Sequence, residues 1–444
     1  MKSDLISKYS APVPRYTSYP TATQFQPDIG VSQYRQWLSE LPDAVSLSLY
    51  VHIPFCQQLC WYCGCNTKAT KRYEPIANYL QPLGFEIDQV AALLPSSHTV
   101  THMHWGGGSP NILKAEDTTR LASHLGQRFQ IGKAEFAVEI DPRDLEAAQV
   151  EALARAGVNR VSIGVQDFDE AVQRAIGRLQ TFAATRQAIE RFREVGIGAV
   201  NIDLVYGLPH QTCDSLGRTL DKVVDLAPER IAAFGYAHLP QRLRHQRLIA
   251  VGTLPGSAER FAQAELLARR LSDAGYNRIG LDHFAKQSDP LASKQVHRNF
   301  QGYTTDDAET LIGFGASAIG RLPQGYVQNA VSTGDYAARI CTSGLATLRG
   351  FALGPEDRMR AHIVERLMCD SEISVAALER KFGNAASPLV AEIHKLLDDD
   401  ADGLLEGTGD GFRVTPLGRP FVRSICAVFD SYLAAGSARH ASGV

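Results

Sequence analysis

Between residues 47 and 236, short apolar runs alternate with longer stretches whose apolar residues return every three or four positions. The short runs are Leu47–Ile53, Val100–Trp105, Glu135–Ile140, Arg160–Val165, Ala199–Val205 and Arg230–Tyr236, and they read as strands. The stretches Pro75–Leu94, Asp117–Phe129, Leu145–Ala156, Phe182–Val195 and Ser215–Leu226 carry helical spacing. Strand and helix in strict alternation predict parallel strands joined by right-handed crossovers. The expected class is therefore α/β, an open, partial TIM-like (β/α)6 barrel. Chemistry in such barrels sits at the C-terminal ends of the strands.

The flanking segments follow other patterns. Residues 1–46 form an N-terminal arm, with Pro14-Arg15-Tyr16-Thr17-Ser18-Tyr19-Pro20 reading as an extended or turn segment. Residues 47–354 hold the barrel and an extension. The extension contains a connection over 241–257, a helix Ser257–Ala274, a strand Tyr276–Asp282 ending at His283, and a Gly/Ala-rich stretch Thr310–Gly320. Residues 355–444 change to helices (Asp357–Met368, Val375–Phe382, Pro388–Leu397), a hairpin around Leu404–Glu406 and Phe412–Val414, and a last helix Leu417–Leu433. That order predicts a mainly helical, winged-helix-like C-terminal domain, expected as a lid or packing domain over the substrate.

Composition narrows the function classes. Of 444 residues, 44% are hydrophobic and 21% charged, which suits a globular chain with a sizeable core. The formal net charge of −3 leaves no basic footprint, so nucleic acid is not expected as a partner despite the winged-helix pattern. The N-terminal residues show no secretory h-region and no apolar run reaches a membrane span, so a cytoplasmic, membrane-free monomer is expected. Four of the eight cysteines crowd between Cys56 and Cys65, and Cys213, Cys341, Cys369 and Cys426 are scattered. The scattered four read as buried small hydrophobes in a reducing compartment.

The crowded cysteines carry the strongest chemical signal. Cys56, Cys60 and Cys63 stand in a C-x3-C-x2-C arrangement directly after the first strand. One tight loop then aims three thiolates at a common point, and a cubane held by three cysteines keeps one iron open for a ligand. A zinc site would want a second C-x2-C pair, which the chain lacks, and His52 reads as a core or hydrogen-bonded histidine. A disulfide framework would want a small secreted chain. Cys65 is too close to Cys63 to join the same cubane, and reads as a thiol on the substrate side or a buried one.

The other strand ends add polar groups. Gly106-Gly107-Gly108-Ser109 follows the second strand and lets backbone approach a ligand closely. Glu139 and Asp141 close the third strand, Gln166 and Asp167 the fourth, and Arg178 lies on the stretch after it. Asp203 sits within an apolar strand, where a carboxylate is costly unless paired.

Together, C-x3-C-x2-C after a first strand and the string Tyr50-Val-His-Ile-Pro-Phe-Cys56 resemble the radical S-adenosylmethionine (SAM) enzymes, and within them the oxygen-independent coproporphyrinogen III oxidases. Cys65, the Pro14–Pro20 string and His297-Arg298-Asn299-Phe300-Gln301-Gly302-Tyr303 are similar to the same family. The resemblance implies a [4Fe-4S] cluster on Cys56, Cys60 and Cys63 and two SAM molecules. Tyr50, Gly107, Glu139 and Ile319 match the positions that hold the SAM on the cluster. Tyr62, Gly108, Ser109, Gln166, Arg178, Asp203 and Ala237 match those of the second. Ser109 stands where the family often has Thr, keeping the hydroxyl and losing a methyl. Cys65, Tyr50 and Glu139 are the catalytic residues this implies, with Arg15, Tyr16 and Tyr19 closing the pocket.

The implied reaction is the anaerobic oxidative decarboxylation of coproporphyrinogen III to protoporphyrinogen IX. A 5′-deoxyadenosyl radical takes a propionate β-hydrogen, and CO2 and one further electron leave to give a vinyl group. A low-potential donor such as flavodoxin or ferredoxin supplies electrons. Arg242, Arg244 and Arg247 form a basic stretch that suits propionates or is simply solvated. Alternatives are a haem-binding delivery protein on the same barrel, whose members typically lack the Pro14–Pro20 string and Cys65, a related SAM enzyme that opens haem or methylates, and a plain electron carrier.

Overall fold

The computed structural model describes residues 2–95 and 97–433; positions 434–444 of the C-terminal segment lie outside the described residues. Six strands follow the expected alternation: β1 Val45–Ile53, β2 His98–Gly107, β3 Ile131–Ile140, β4 Arg160–Gln166, β5 Ala199–Tyr206 and β6 Arg230–Gly235. They pair in chain order and all in parallel. Helices α1 Glu74–Leu93, α2 Ala115–Arg128, α3 Ala147–Arg155, α4 Phe182–Glu194 and α5 Cys213–Asp225 make the crossovers.

The sheet continues past both ends of this set. β7 Tyr276–Ile279 and β8 His283–Lys286 form a hairpin that adds antiparallel to β6. β9 Thr310–Phe314 pairs in parallel with the other side of β1, followed by antiparallel β10 Ile319–Leu322, β11 Gly325–Asn329 and β12 Thr347–Ala352. The order is β12-β11-β10-β9-β1-β2-β3-β4-β5-β6-β8-β7, a mixed sheet whose two end strands do not pair, hence a partial barrel. The single strand expected over Tyr276–Asp282 is this hairpin instead, broken at Gly280, whose φ of +54° and whose missing Cβ admit the Tyr303 ring.

Strand periodicity decides what faces the bore. Trp105, Phe136, Val138, Val161, Ile163, Val200, Ile202 and Ile231 are fully buried in the main core. Their neighbours in sequence, His102, His104, Glu135, Glu139, Arg160, Ser162, Asn201, Asp203 and Arg230, line the cavity. The floor is an ion network. Arg160 and Arg230, the first residues of β4 and β6, both reach Asp289 (3.0 and 2.7 Å) and Glu135 (3.2 Å each).

The N-terminal arm is more structured than the sequence suggests. Val31–Ser39 is helical and buries Tyr34, Trp37 and Leu38 at i, i+3, i+4 spacing, and Lys2–Lys8 forms another short helix. Tyr16 and Tyr19 do not pack on the barrel alone; they join a second core with Ile363, Leu367, Phe412 and Phe429 of the C-terminal segment. Their hydroxyls reach Asp430 and Ser431.

The C-terminal segment has helices α7 Pro355–Asp370 (after α6 Ser257–Asp273), α8 Val375–Phe382 and α9 Ser387–Asp398. Its small sheet has three strands rather than two, because Glu372–Ser374 joins Gly411–Val414 and Leu405–Gly407. The last helix is shorter than expected. Pro420 falls in a 3-10 turn, Arg419–Phe421, and the α-helix spans only Val422–Val428. No helix among the described residues is long and apolar enough to cross a membrane.

Candidate active site

The ends of β1 to β6 open into one cavity of about 740 Å³. Its wall contains Cys56, Cys60, Cys63, Cys65, Tyr62, Gly107, Gly108, Ser109, Glu139, Gln166, Arg178, Asp203 and Ala237, all expected from the sequence. Tyr50 and Ile319 are not among the lining residues. Tyr50 instead bonds His52 Nδ1 through its hydroxyl at 2.9 Å and stacks on His104, with ring centroids 5.9 Å apart. Ile319 lies at the start of β10, paired with Gln328.

The cysteine loop leaves β1 and is tied down along its backbone. Phe55–Cys56 pairs in parallel with Lys68–Ala69. The Trp61 amide donates to the Ile176 carbonyl at 2.9 Å, Gln246 Nε2 donates to the Tyr62 carbonyl at 3.0 Å, and His245 Nε2 lies 2.7 Å from the Cys63 carbonyl. Residues 241–257 thus do more than connect: their 3-10 turns hold the loop.

Each cluster-type cysteine meets donors. Thr67 Oγ1 is 3.3 Å and Ser109 Oγ 3.6 Å from Cys56 Sγ. Arg178 Nη1 and Arg143 Nη2 point at Cys60 Sγ at 3.4 and 3.6 Å, and the Cys65 amide donates to Cys63 Sγ at 3.4 Å. The spacing rule aimed three thiolates at one point, yet no three His, Cys, Asp or Glu side chains among the described residues gather tightly enough for a single ion. A cubane, whose irons each take a different cysteine, suits such separated thiols, and donors around the sulfurs suit an anionic cluster. Cys65 is exposed at the cavity rather than buried.

The glycines are sterically required. A Cβ on Gly106 would sit 2.6 Å from Glu139 Oε1, one on Gly107 2.4 Å from His52 Cε1, and one on Gly108 2.3 Å from the Phe55 carbonyl oxygen. Glu139 Oε2 accepts from the Gly107 amide at 3.2 Å. Bare backbone beside a carboxylate is a donor and acceptor set that fits the α-amino and carboxylate groups of an amino-acid-derived cofactor.

Charge is concentrated on the next two strand ends. Arg178, 6% exposed, donates to the Gly164 carbonyl at 2.6 Å and to Asp141 at 3.3 Å. Burial opposes charge on Asp141, but Arg178 and Arg143 outweigh it and hold the carboxyl below its usual range. Asp203 accepts from Ser162 Oγ at 2.7 Å and Asn201 Nδ2 at 2.8 Å, and burial lifts its carboxyl to about 6. Gln166 closes β4 with φ +68°, a turn that keeps its amide at the cavity.

His102, His104, Ser162, Asn201 and Asp306 also face the cavity and were missed. The signal lies in the sequence: polar residues recur at every second position of β2, β4 and β5, opposite the apolar half that marks each run as a strand. Asp306, on the loop before β9, pairs with His102 Nδ1 at 3.1 Å and could not have been placed by periodicity.

Comparison with known proteins agrees with this geometry. The model of the radical SAM superfamily matches residues 50–223, and that of the HemN C-terminal domain matches residues 353–421. The oxygen-independent coproporphyrinogen III oxidase of Bradyrhizobium diazoefficiens is 46% identical over the full length of both chains. That of Paracoccus denitrificans is 42% identical over 98% of this chain and 97% of its own. The solved structure of the coproporphyrinogen III oxidase HemN from Escherichia coli, a radical SAM enzyme, superposes with a TM-score of 0.90 at 39% identity, covering 94% of this chain and 98% of that one. The chain therefore belongs to the radical SAM superfamily and, within it, to the oxygen-independent coproporphyrinogen III oxidases.

Proposed function

We propose that this chain converts coproporphyrinogen III to protoporphyrinogen IX without oxygen, turning two propionates into vinyl groups in haem and porphyrin biosynthesis. The observation that carries the reading is one cavity lined both by the three-cysteine loop and by a guanidinium, Arg15, which donates to the Gly235 carbonyl at 2.8 Å. Such a cavity suits a macrocycle that bears carboxylates and must meet a radical source.

In this reading Cys56, Cys60 and Cys63 hold a [4Fe-4S] cluster. Gly107 and Glu139 hold the SAM bound there, with Tyr50 and Ile319 shaping that site from behind the cavity wall. Tyr62, Gly108, Ser109, Gln166, Arg178, Asp203 and Ala237 hold a second SAM. When bound, the cluster and SAM would together supply the radical chemistry that acts at a propionate β-carbon. The protein's part is positioning and exclusion of water. Arg178 steadies Cys60 and Asp141 at once. Glu139 fixes the Gly107 backbone, and Cys65 stands at the substrate side.

The same reading has the chain act as a monomer in the cytoplasm and take electrons from a low-potential carrier such as flavodoxin or ferredoxin. All eight cysteines being unpaired supports a reducing compartment.

The test is anaerobic: reconstituted protein, SAM, a low-potential reductant and coproporphyrinogen III, with products followed by mass spectrometry. Protoporphyrinogen, with 5′-deoxyadenosine and methionine, is the expected result. Tight haem binding without turnover would overturn it in favour of a delivery protein.

A further inference from the structure

The cysteine loop is covered unevenly on the side away from the cavity. Cys60 is buried and meets Arg178 and Arg143. Cys63 lies against the 3-10 turn that carries His245 and Gln246, through its own carbonyl and that of Tyr62. Cys56 is backed by a two-residue strand, Lys68–Ala69. There the Lys68 amide donates to the Pro54 carbonyl at 3.1 Å and the Thr70 amide to the Cys56 carbonyl at 2.9 Å. Lys68, Ala69, Lys71 and Arg72 are all exposed. Solvent is therefore one hydrogen-bonded strand away from a cluster-type cysteine.

This strip is basic. From Pro54 to Phe85 the chain carries Lys68, Lys71 and Arg72 against one acid, Glu74, in a protein whose net charge is −3. Among the described residues none of the three cations forms an ion pair. Lys68 Nζ lies 2.5 Å from Thr333 Oγ1 and 5.3 Å from the Phe55 ring centroid. Asp335, two residues beyond Thr333, is taken up by Arg339 at 3.1 Å. An apolar spot borders the cations: Asn66 Nδ2 donates to the carbonyl of Val331, whose side chain belongs to a residue 44% exposed. The cleft beside Gln57, by contrast, mixes Arg143 and Arg191 with Asp144 and Glu146, and favours neither sign.

We propose that the Lys68–Arg72 strip, with Val331, is the docking face for the electron donor, an acidic one-electron carrier of the flavodoxin type. The assignment rests on the reading of the preceding subsection, which requires electrons to reach the cluster while the cavity holds SAM and substrate. Unpaired surface cations attract and orient an acidic partner. Val331 offers an apolar contact for the methyl-bearing edge of a flavin. The carrier's flavin is oxidised by one electron and the cluster on Cys56, Cys60 and Cys63 is reduced by it, with no covalent bond made or broken in either protein. The Thr70 amide on the Cys56 carbonyl gives that electron a short hydrogen-bonded route.

The experiment uses the reconstituted enzyme, a purified flavodoxin, and the double variant Lys71→Glu with Arg72→Glu. A control double variant, Arg380→Glu with Lys381→Glu, makes the same change in net charge on exposed positions of α8. Flavodoxin Kd is measured by anaerobic calorimetry at low salt and at about 0.5 M salt, where surface charges are screened. SAM cleavage is followed with flavodoxin hydroquinone and, separately, with titanium(III) citrate. The strip variant is expected to raise Kd by roughly tenfold or more at low salt, with the difference shrinking at high salt. It should slow flavodoxin-driven cleavage and leave titanium-driven cleavage at the parent rate, and the control should match the parent throughout. An unchanged Kd in the strip variant, an equal loss in the control, or an equal loss with titanium(III) would overturn the docking face. Failure of the unaltered enzyme, reduced with titanium(III), to convert coproporphyrinogen would instead overturn the enzyme reading.

Discussion

Glu139 Oε2 accepts the Gly107 amide at 3.2 Å, so a carboxylate from one strand end fixes the backbone at the end of its neighbour. Its other oxygen lies 3.2 Å from His104 Nε2. Gly107 has φ +105°, and a Cβ there would collide with the His52 ring. Gly107→Ala is therefore expected to cost about 1–3 kcal/mol in backbone strain. It should also displace the cradle enough to cut turnover by roughly 100-fold. Thermal melting and SAM equilibrium dialysis of the same protein check both parts. Normal SAM retention in Gly107→Ala would remove Gly107 from the binding site.

Arg178 predicts a different pattern. It joins Cys60 Sγ, Asp141 and the Gly164 carbonyl from a buried position. Arg178→Met leaves Asp141 with Arg143 as its remaining cation, at an expected cost of about 3 kcal/mol, the lower end for breaking a buried pair. Arg178→Lys keeps the charge but loses the fork, and should fall between the two. Denaturant unfolding before cluster loading separates this stability effect from any loss of SAM affinity, and equal stability in all three proteins would refute it.

The floor network predicts acid sensitivity. Burial works against Asp289 and Glu135, but Arg230 and Arg160 hold both carboxyls below their usual range. A depressed carboxyl adds stability that is present above the unfolded value near ~4 and is lost as pH falls through the folded one. Asp289→Asn should cost about 3–5 kcal/mol at pH 7. It should also show a shallower loss of stability than the parent between about pH 5 and 3. Urea unfolding across that range is the measurement, and parallel curves would sink the argument.

The strand–helix frame was legible because each apolar run is long enough to commit to a period, and all six strands lie within a few residues of expectation. The cysteine loop and glycine cradle were legible for the same local reason. What stayed hidden depends on contacts distant in sequence. Asp289 reaches Arg160 across the barrel floor, and Tyr16 pairs with Asp430 at the other end of the chain. Tyr50 and Ile319 show the converse: a family pattern matched residues that the fold sets outside the cavity lining.

Asp203 supplies the sharpest pH prediction. Its carboxyl is lifted to about 6 chiefly by burial, against the hydrogen bonds from Ser162 and Asn201 that favour its charge. Between ~4, where the unfolded chain releases this proton, and about 6, the native state holds a proton that the unfolded state has lost. The unfolded state binds fewer protons there, so this group makes stability fall as pH rises across the window. Asp203→Asn cannot titrate and should lack that slope, gaining relative to the parent as pH climbs from ~4.5 to ~6.5. A ligand hydroxyl that donates to the ionised carboxylate would draw the value down, so added SAM should move the step to lower pH in the parent and leave the Asn variant flat. Urea unfolding at half-unit steps, with and without SAM, gives both answers. Identical slopes in parent and variant would show that Asp203 ionises in the native state as freely as in the unfolded chain.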